Sequence, residues 1–311
     1  MFHFVKPLHR AKRTLDAINA ALEQAQETSH RMHLGASEIG KPCDRSLWYK
    51  FHWAQKKIWD GRMLRLFARG HKEEERFVAY LRAVGITVWD ANPDNPTKPD
   101  GSVNQIRVSD HAGHFGGSLD GIASHLLEFP DEPALLEFKT HSKNSFEKVY
   151  NGVIDNKFEH AVQMQMYMGY EDLPRALYNA VNKDDDDLHL EIIDRDGSVF
   201  EKYRERAGRI IWTDTPPKRI AETPANPACK YCDFARLCHF GGVAPDRNCR
   251  TCRFSRPTDE GHGVWRCDNA ERLRFLSAGD VKESDGILTE ARQRSACSFY
   301  EARPDLLERA P

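Results

Sequence analysis

The feature that most restricts the fold of this chain is a short apolar segment that carries two opposite charges. In Leu135-Leu136-Glu137-Phe138-Lys139-Thr140, Glu137 and Lys139 are two residues apart. Because side chains alternate between the two faces of a β-strand, a strand here would place Glu137 and Lys139 on one face and Leu136 and Phe138 on the other. Burying a carboxylate and an ammonium group costs free energy unless they are paired or bind a metal. The segment therefore predicts a strand with one packed face and one chemically active face.

A second carboxylate, Asp120, precedes this strand in Gly116-Gly117-Ser118-Leu119-Asp120-Gly121. Residues 115–123 are predicted as a strand, and a hairpin to residues 134–140 would bring Asp120 next to Glu137. Two converging carboxylates repel each other, and a divalent cation such as Mg²⁺, which prefers carboxylate and phosphate oxygens, relieves that repulsion. By spacing alone, the same pattern also fits a surface hairpin with one Glu–Lys ion pair.

The rest of the pattern indicates a mixed α/β domain followed by a small cysteine-rich tail. Helical periodicity predicts helices at 8–29, 44–53, 62–83, 158–170 and 199–212. Apolar and β-branched runs predict further strands at 86–90, 105–108, 176–182 and 188–194. The side chains expected to form the buried faces of the first and third helices are Leu15, Ile18, Leu22, Leu66, Phe67, Phe77, Val78 and Leu81.

Eight cysteines divide into two sets of four. The first set is the triad Cys229-x2-Cys232-x5-Cys238, which needs a fourth ligand, and Cys43, which stands far upstream just before a predicted helix. Because no export signal precedes them, metal ligation is favoured over disulfides.

The second set lies in the tail. Cys249-x2-Cys252 has the spacing of a metal knuckle, and Cys267 and Cys297 complete four thiolates, with His262 as an alternative ligand. This spacing is typical of a structural zinc site, although a second cluster or a loop without metal is compatible with it. Basic and aromatic residues around the knuckle suit single-stranded nucleic acid, or equally a solubilising surface; they are Arg247, Arg250, Arg253, Arg256, Trp265 and Arg266.

The carboxylate–lysine pattern resembles the PD-(D/E)XK nuclease superfamily in its RecB-like branch. Asp120 matches the aspartate of the family, and Glu137-Phe138-Lys139 matches its acid-x-Lys motif. The resemblance implies a DNA nuclease in which Asp120 and Glu137 hold Mg²⁺ or Mn²⁺. Lys139 would then orient the attacking water or stabilise charge on the phosphate.

Two further matches support that branch. Gln163 and Tyr167, four residues apart and so on one helix face, resemble its helix motif and are implied to position Lys139 and the DNA. His71 and Glu74, in Arg69-Gly70-His71-Lys72-Glu73-Glu74, resemble a motif that adds a metal ligand, and the pattern does not choose between them. Either side chain could also be solvated on a charged helix.

One cysteine before the nuclease motifs and three after them resembles the iron–sulfur nucleases of this branch, which include the AddB nuclease domain and CRISPR-associated RecB-like exonucleases. The resemblance implies that Cys43, Cys229, Cys232 and Cys238 bind a [4Fe–4S] cluster that ties the ends of the domain together. Zinc accepts the same four thiolates, so it remains an alternative.

The implied architecture is a restriction-endonuclease-like mixed sheet flanked by helices, with an iron–sulfur staple and a C-terminal metal-binding module. We expect an N-terminal helix in residues 1–35, the nuclease domain in 36–240 and a zinc-knuckle-like module in 241–311. The resemblance implies an exonuclease acting on single-stranded or processed DNA ends, in recombination, repair or phage and defence DNA processing. A structure-specific endonuclease and a non-catalytic DNA-binding or scaffold protein are the alternatives.

Composition bounds the location and the partners. No apolar run approaches the length of a membrane span, and the basic N-terminus lacks the apolar core of a signal peptide, so we expect a cytoplasmic protein without a membrane partner. The net charge of −2 gives no argument for nucleic acid. DNA as a partner, along with recombination or replication proteins, is implied by the resemblance alone.

Overall fold

The computed structural model describes residues 11–26, 30–240, 246–269, 281–282 and 286–307. In chain order its elements are α1 (Lys12–Ala25), β1 (Leu34–Gly35), α2 (Asp44–Phe51), α3 (Gly61–Ala83), β2 (Thr87–Trp89), β3 (Arg107–Asp110), β4 (Phe115–Ser118), β5 (Gly121–Ser124), β6 (Ala134–His141), α4 (Lys143–Tyr150), α5 (Val153–Asn156), α6 (Phe158–Tyr170), β7 (Arg175–Asn182), β8 (Leu188–Asp194), α7 (Gly197–Trp212), α8 (Pro227–Lys230), β9 (Ser255–Pro257), β10 (Trp265–Cys267), β11 (Val281–Lys282), β12 (Ile287–Leu288), α9 (Glu290–Gln293) and α10 (Pro304–Leu307). The expectation of a mixed α/β fold with helices flanking mixed sheets is confirmed.

A five-stranded sheet of order β2-β5-β6-β7-β8 carries the charged strand, β6, at its centre. β6 and β7 are parallel and the other neighbouring strands are antiparallel. A parallel pair needs a crossover connection, and α4, α5 and α6 form it. The short helices α4 and α5 were not predicted.

Both faces of this sheet are covered. On one face, Leu136 and Phe138 pack against α3, where the Phe77 and Phe138 rings stack at 5.1 Å. On the other face, Leu135 belongs to a larger core that includes α6. Each fully buried side chain of this size contributes roughly 1.5–3 kcal/mol. The predicted division of β6 into a packed face and a charged face is confirmed.

The single strand predicted at 115–123 is wrong, because the chain changes sheet within it. β4 pairs with β1 and β3 in a separate three-stranded sheet, whereas β5 pairs with β2 and β6. Leu119, at the crossing, is fully buried, and its N–H donates to the carbonyl of Ile106 (2.9 Å). Asp120 therefore lies at the bend between two sheets and not on a strand.

The first helix also differs from its prediction. α1 begins at Lys12 and ends at Ala25, and the remainder of the predicted span 8–29 lies outside the described residues. Leu15 and Ile18 are 50% and 47% exposed, so the predicted buried face is wrong here. The contact of α1 with α3 instead involves Asn19, which lies against Gly61. Phe67 on α3 is likewise 38% exposed, because it lines an open cleft.

The described part of the tail packs onto the larger core. A four-stranded sheet of order β11-β12-β10-β9 presents Trp265, which is fully buried and lies 5.3 Å from the ring of Phe51. Leu288 and Leu306 belong to the same core cluster. Among the described residues, no helix is long and apolar enough to cross a membrane.

Candidate active site and cysteine clusters

Asp120 and Glu137 meet where β5 pairs with β6. The antiparallel register places Gly121 opposite Leu136, which puts Asp120 beside Glu137. The N–H of Phe138 donates to Asp120 Oδ2 (2.8 Å), and this bond fixes the carboxylate at the strand. Burial raises the pKa of Asp120, while Lys139, the Phe138 N–H and His71 oppose that rise.

Glu137 is fully buried and is held from two sides. Its Oε1 forms an ion pair with Lys139 Nζ, and its Oε2 accepts a hydrogen bond from Gln163 Nε2 (3.1 Å). Burial raises the pKa of Glu137 to about 7, and the negative charges of Asp120 and Glu74 act in the same direction, against Lys139.

Lys139 is the positive charge among these carboxylates. Burial alone would lower its pKa, but Glu137 and Asp120 outweigh that effect and raise it, with Glu74 adding a smaller contribution. The side chain of Lys139 is 25% exposed, whereas that of Glu137 is fully buried.

Helix α3 closes the cleft and brings both of its candidate ligands to it. His71 and Glu74 line one pocket together with Lys139. Burial raises the pKa of Glu74 to about 7, and the negative charge of Asp120 contributes to the same rise. The side chain of His71 is exposed. The neighbouring Glu73 is buried but is paired with Arg76 at 2.8 and 3.0 Å. Glu74 is thus the α3 carboxylate whose charge interacts with those of Asp120, Glu137 and Lys139.

Gln163 and Tyr167 lie on one face of α6, as predicted from their spacing. Gln163 donates a hydrogen bond to Glu137, and Tyr167, four residues further on, is buried. The hydroxyl of Tyr167 lies directly over Gly117, where a Cβ would collide with it, so glycine is required at that position. The fit links the Gly-Gly-Ser segment before Asp120 to the helix that supports Glu137.

Sequence reasoning missed a polar network next to Glu137. Tyr178 on β7 lies opposite Glu137, and its hydroxyl is 2.9 Å from both His141 Nε2 and His160 Nδ1. Burial lowers the pKa of His141 to about 4 and that of His160 to about 3, so both rings are neutral near pH 7. The two-residue period of β6 could have indicated His141, because it shares the face of Glu137 and Lys139.

In the part of the chain that the structure describes, no three His, Cys, Asp or Glu side chains are already arranged to hold a metal ion. The donor set at the cleft nevertheless suits a hard cation, because Asp120, Glu137 and Glu74 supply carboxylate oxygens. Lys139 now neutralises Glu137 by direct contact. A cation bound at Glu137 would take over that role and release the lysine ammonium group toward the substrate.

The first cysteine set converges although Cys43 is far from the others in sequence. Cys43 precedes α2, and Cys229 lies on α8. These two residues line one pocket together with Cys232 and Cys238. Burial raises the pKa of Cys229 and of Cys232, and the nearby Cys43 and Cys238 raise both further. Thiolates that repel one another in this way are stabilised by a bound cation.

Three of the four cysteines of the second set, Cys249, Cys252 and Cys267, are buried in the tail. The Cys252 N–H donates to the Cys249 carbonyl (3.0 Å), which closes a turn between these two residues. Cys249 Sγ lies 3.4 Å from the carbonyl of Ser295, and the N–H of Phe299 donates to Cys297 Sγ (3.3 Å). The alternative ligand, His262, is exposed and lies in the turn between β9 and β10.

Comparison with known proteins adds similarity at the level of the overall chain trace only. No protein-family model matches the chain, and no curated protein matches it. An alkaline exonuclease (LHK-Exo) from Laribacter hongkongensis is 18% identical, with 63% of this chain and 90% of that chain covered and a TM-score of 0.41. Its complex with dAMP gives 19% identity, 63% and 90% coverage and a TM-score of 0.40. The protein SSO0001 gives 13% identity, 72% and 96% coverage and a TM-score of 0.39. At such values the chemistry of this chain has to be derived from its own residues.

Proposed function

We propose that this chain is a metal-dependent nuclease that hydrolyses phosphodiester bonds of DNA. The observation that carries the proposal is the clustering of three carboxylates around one lysine: Glu74 and Lys139 line the cleft, and Asp120 and the fully buried Glu137 lie close enough for their charges to act on Glu74 and Lys139. A buried surplus of carboxylates around one lysine destabilises a purely structural protein. It is the arrangement expected where a divalent cation and a phosphate must be bound together.

Asp120 and Glu137 would hold Mg²⁺ or Mn²⁺, with Glu74 or His71 completing the ligand set. The bound ion would supply a positive charge next to the phosphate and lower the pKa of a water molecule. Gln163 keeps Glu137 oriented, and Tyr167 keeps Gln163 in place. Lys139, released from Glu137, donates to the phosphate oxygen on which negative charge develops, or orients the attacking water.

For the substrate, we favour single-stranded or processed DNA ends and an exonuclease, as the resemblance to RecB-like nucleases implies. A structure-specific endonuclease is the runner-up. The test is incubation with end-labelled single-stranded and double-stranded DNA, with and without Mn²⁺, alongside a circular single strand. Linear-only cleavage would support the exonuclease, and cleavage of the circle would support the endonuclease.

The matched variants are Asp120→Asn and Glu137→Gln, which keep the shape of each side chain but remove its charge. Both should lose Mn²⁺-dependent cleavage. Lys12→Ala should not, because Lys12 is exposed and paired with Asp16. If the folded wild-type protein binds DNA but cleaves none of these substrates with Mg²⁺ or Mn²⁺, the non-catalytic DNA-binding role replaces this proposal.

The first cysteine pocket is proposed to hold a [4Fe–4S] cluster through Cys43, Cys229, Cys232 and Cys238. The support is the convergence of four thiols from both ends of the nuclease domain. Protein purified without oxygen should be brown and contain iron and sulfide, and Cys43→Ser should lose both and much of its stability, because metal binding and folding are coupled. Zinc without iron in an anaerobic preparation would replace the cluster by a zinc site.

The second set is proposed to hold a closed, structural zinc ion through Cys249, Cys252, Cys267 and Cys297. In zinc-finger peptides such a site stabilises folding by about 10–16 kcal/mol at neutral pH. Zinc content per chain in Cys297→Ser and His262→Ala separates the two possible fourth ligands. Zinc lost from the histidine variant and kept by the cysteine variant would transfer the role to His262.

A further inference from the structure

A pocket of about 450 Å³ lies between the segment before β1 and strands β3 and β4. We call it the basic pocket. Its lining includes Arg31, His33, Arg107, Gly113, Gly117 and Ser118. None of these residues was singled out as a binding residue from the sequence.

The two arginines of the basic pocket are not neutralised by any carboxylate that the structure describes. Across the residues that the structure describes, the guanidinium groups of Arg31 and Arg107 take part in no hydrogen bond or ion pair, and both residues are exposed. Arg204 and Arg206, by contrast, are paired with Asp110 and Asp44. A guanidinium group presents a rigid fork of donors that matches the oxygens of a phosphate.

The chain connects the basic pocket to the candidate active site. Gly117 and Ser118 form part of the lining, and Asp120 follows Ser118 by two residues. Tyr167, on the same helix face as Gln163, packs over Gly117. A phosphate held in the pocket would therefore lie close to the segment that carries Asp120.

The tail holds both walls of the basic pocket in place. Arg294 donates to the carbonyl of His30 (3.1 Å) and Arg250 to that of Met32 (2.9 Å), on either side of Arg31. On the opposite wall, the N–H of Gly263 donates to the carbonyl of Ala112 (2.8 Å). Gly113 and Gly263 approach so closely that neither position has room for a Cβ, and both have positive φ angles (85° and 65°).

We propose that the basic pocket binds a phosphate group of the nucleic-acid strand and that the C-terminal tail holds the pocket in its binding shape. The identity of the strand rests on the proposed function, whereas the binding of a phosphate rests on the two unpaired arginines. The phosphate could belong to the strand backbone or to a strand end, and the test separates the two sources.

The experiment measures the affinity of the full-length protein for a fluorescein-labelled 12-residue single-stranded oligonucleotide by anisotropy, in a buffer without added Mg²⁺ or Mn²⁺ so that no cleavage occurs. The oligonucleotide carries either a 5′-phosphate or a 5′-hydroxyl. Arg31→Gln/Arg107→Gln should raise Kd by roughly tenfold or more, because two charge-assisted contacts are lost. The slope of log K against log salt should fall by about 1.4, at about 0.7 for each contact to a single strand.

The control is Arg195→Gln, which removes an arginine paired with Asp172 and should leave Kd unchanged. Thermal unfolding of each variant checks the fold, which these exposed side chains should not affect. If the wild-type protein prefers the 5′-phosphate and the double variant does not, the pocket takes a strand end. An equal loss for both oligonucleotides assigns it to the backbone. A double variant that binds both as tightly as Arg195→Gln does would overturn the proposal.

The role of the tail has its own variant. Arg294 does not itself line the pocket, but it bonds the backbone carbonyl of His30, which does. Arg294→Gln removes that bond and should weaken binding several-fold. Arg253→Gln, in the same tail but paired with Glu301, should not. Unchanged affinity in a folded Arg294→Gln protein would refute the supporting role of the tail. Binding is measured without Mg²⁺ or Mn²⁺ and does not depend on cleavage. The assay can therefore test phosphate binding by the basic pocket even if the protein proves to cleave no DNA.

Discussion

Two deeply placed cations, Lys139 and Arg250, occupy opposite environments in this molecule. Lys139 is surrounded by the carboxylates of Glu137, Asp120 and Glu74, which raise its pKa against the effect of burial. Arg250 is fully buried, forms no ion pair with any carboxylate among the described residues, and has its pKa lowered by burial. Its donors instead bond the carbonyls of Phe51 and Met32 and the side chain of Gln293.

The surroundings of Arg250 are complete, whereas those of Lys139 are not. The guanidinium group lies 3.9 Å from the ring centroid of Trp53 and 4.7 Å from that of Trp265, so cation–π contacts and hydrogen bonds satisfy it on all sides. Around Lys139, three carboxylates face one ammonium group. The first arrangement holds the tail to the larger core, and the second is left with negative charge that a further cation could neutralise.

The largest expected effect is on catalysis at Lys139. Lys139→Ala should reduce Mn²⁺-dependent cleavage by roughly 10²–10³-fold or more, since it removes a donor aimed at developing charge. DNA binding should persist, because the arginines of the basic pocket are intact. The measurement is the single-turnover cleavage rate, with affinity determined in parallel. Cleavage at the wild-type rate by a folded Lys139→Ala protein would show that Lys139, like Arg250, is structural.

The next effect concerns stability at Arg250. Arg250→Met keeps the volume but leaves the carbonyls of Met32 and Phe51 and the oxygen of Gln293 without donors, at about 1–3 kcal/mol for each buried group left unsatisfied. We expect a loss of about 4 kcal/mol, or about 10 °C in Tm. Arg253→Met, in the same tail but 52% exposed, should change Tm little. A Tm within a degree or two of the wild type would mean that the Arg250 contacts contribute no net stability.

The sequence could predict much of the site around Lys139 and little of the environment of Arg250. The alternation in β6 and the hairpin to Asp120 follow from local periodicity, so the meeting of Asp120, Glu137 and Lys139 was predictable. The choice between His71 and Glu74 was not, because residues three apart share one face of a helix. Only the approach of α3 to β6 distinguishes them, since it brings Glu74 close enough for the charge of Asp120 to raise its pKa, whereas His71 is exposed.

The environment of Arg250 lay beyond sequence reasoning altogether. The sequence predicted a basic and aromatic surface around the knuckle, but Arg250 and Trp265 are fully buried in the interface with Phe51 and Trp53. These contacts join residues about 200 positions apart, and no local period carries information on such a pairing. The same limit applies to the basic pocket, which is formed by the segment before β1 and by β3 and β4.

A third prediction separates the two cations by pH. The carboxyl groups of Glu74 and Glu137 must be ionised to bind a cation, and the pKa of each is raised to about 7. The apparent affinity for Mn²⁺ should therefore fall as the pH drops below 7, by about tenfold per unit for each proton displaced. The Tm difference between wild type and Arg250→Met should instead stay constant between pH 6 and 8, since arginine does not titrate there. An Mn²⁺ affinity that is flat from pH 6 to 8 would remove these carboxyl groups from the ligand set.

The smallest effect is a gain of stability in the metal-free protein. The folded-state pKa of Glu74, at about 7, lies above its unfolded value, so the folded protein binds more protons between about pH 4.5 and 7. Stability from this group is therefore lost as the pH rises through that window. Glu74→Gln removes the charge and should raise the metal-free Tm at pH 8 by a few degrees, with no gain near pH 4. Glu75→Gln is the matched control, because the side chain of Glu75 is 68% exposed and paired with Lys72.

Saturating Mn²⁺ should stabilise the wild type more than Glu74→Gln, because ligand binding to the folded state adds more stability when the affinity is higher. A lower metal-free Tm for Glu74→Gln at pH 8 would mean that Lys139 already satisfies Glu74, and that this carboxylate is held by the fold as Arg250 is.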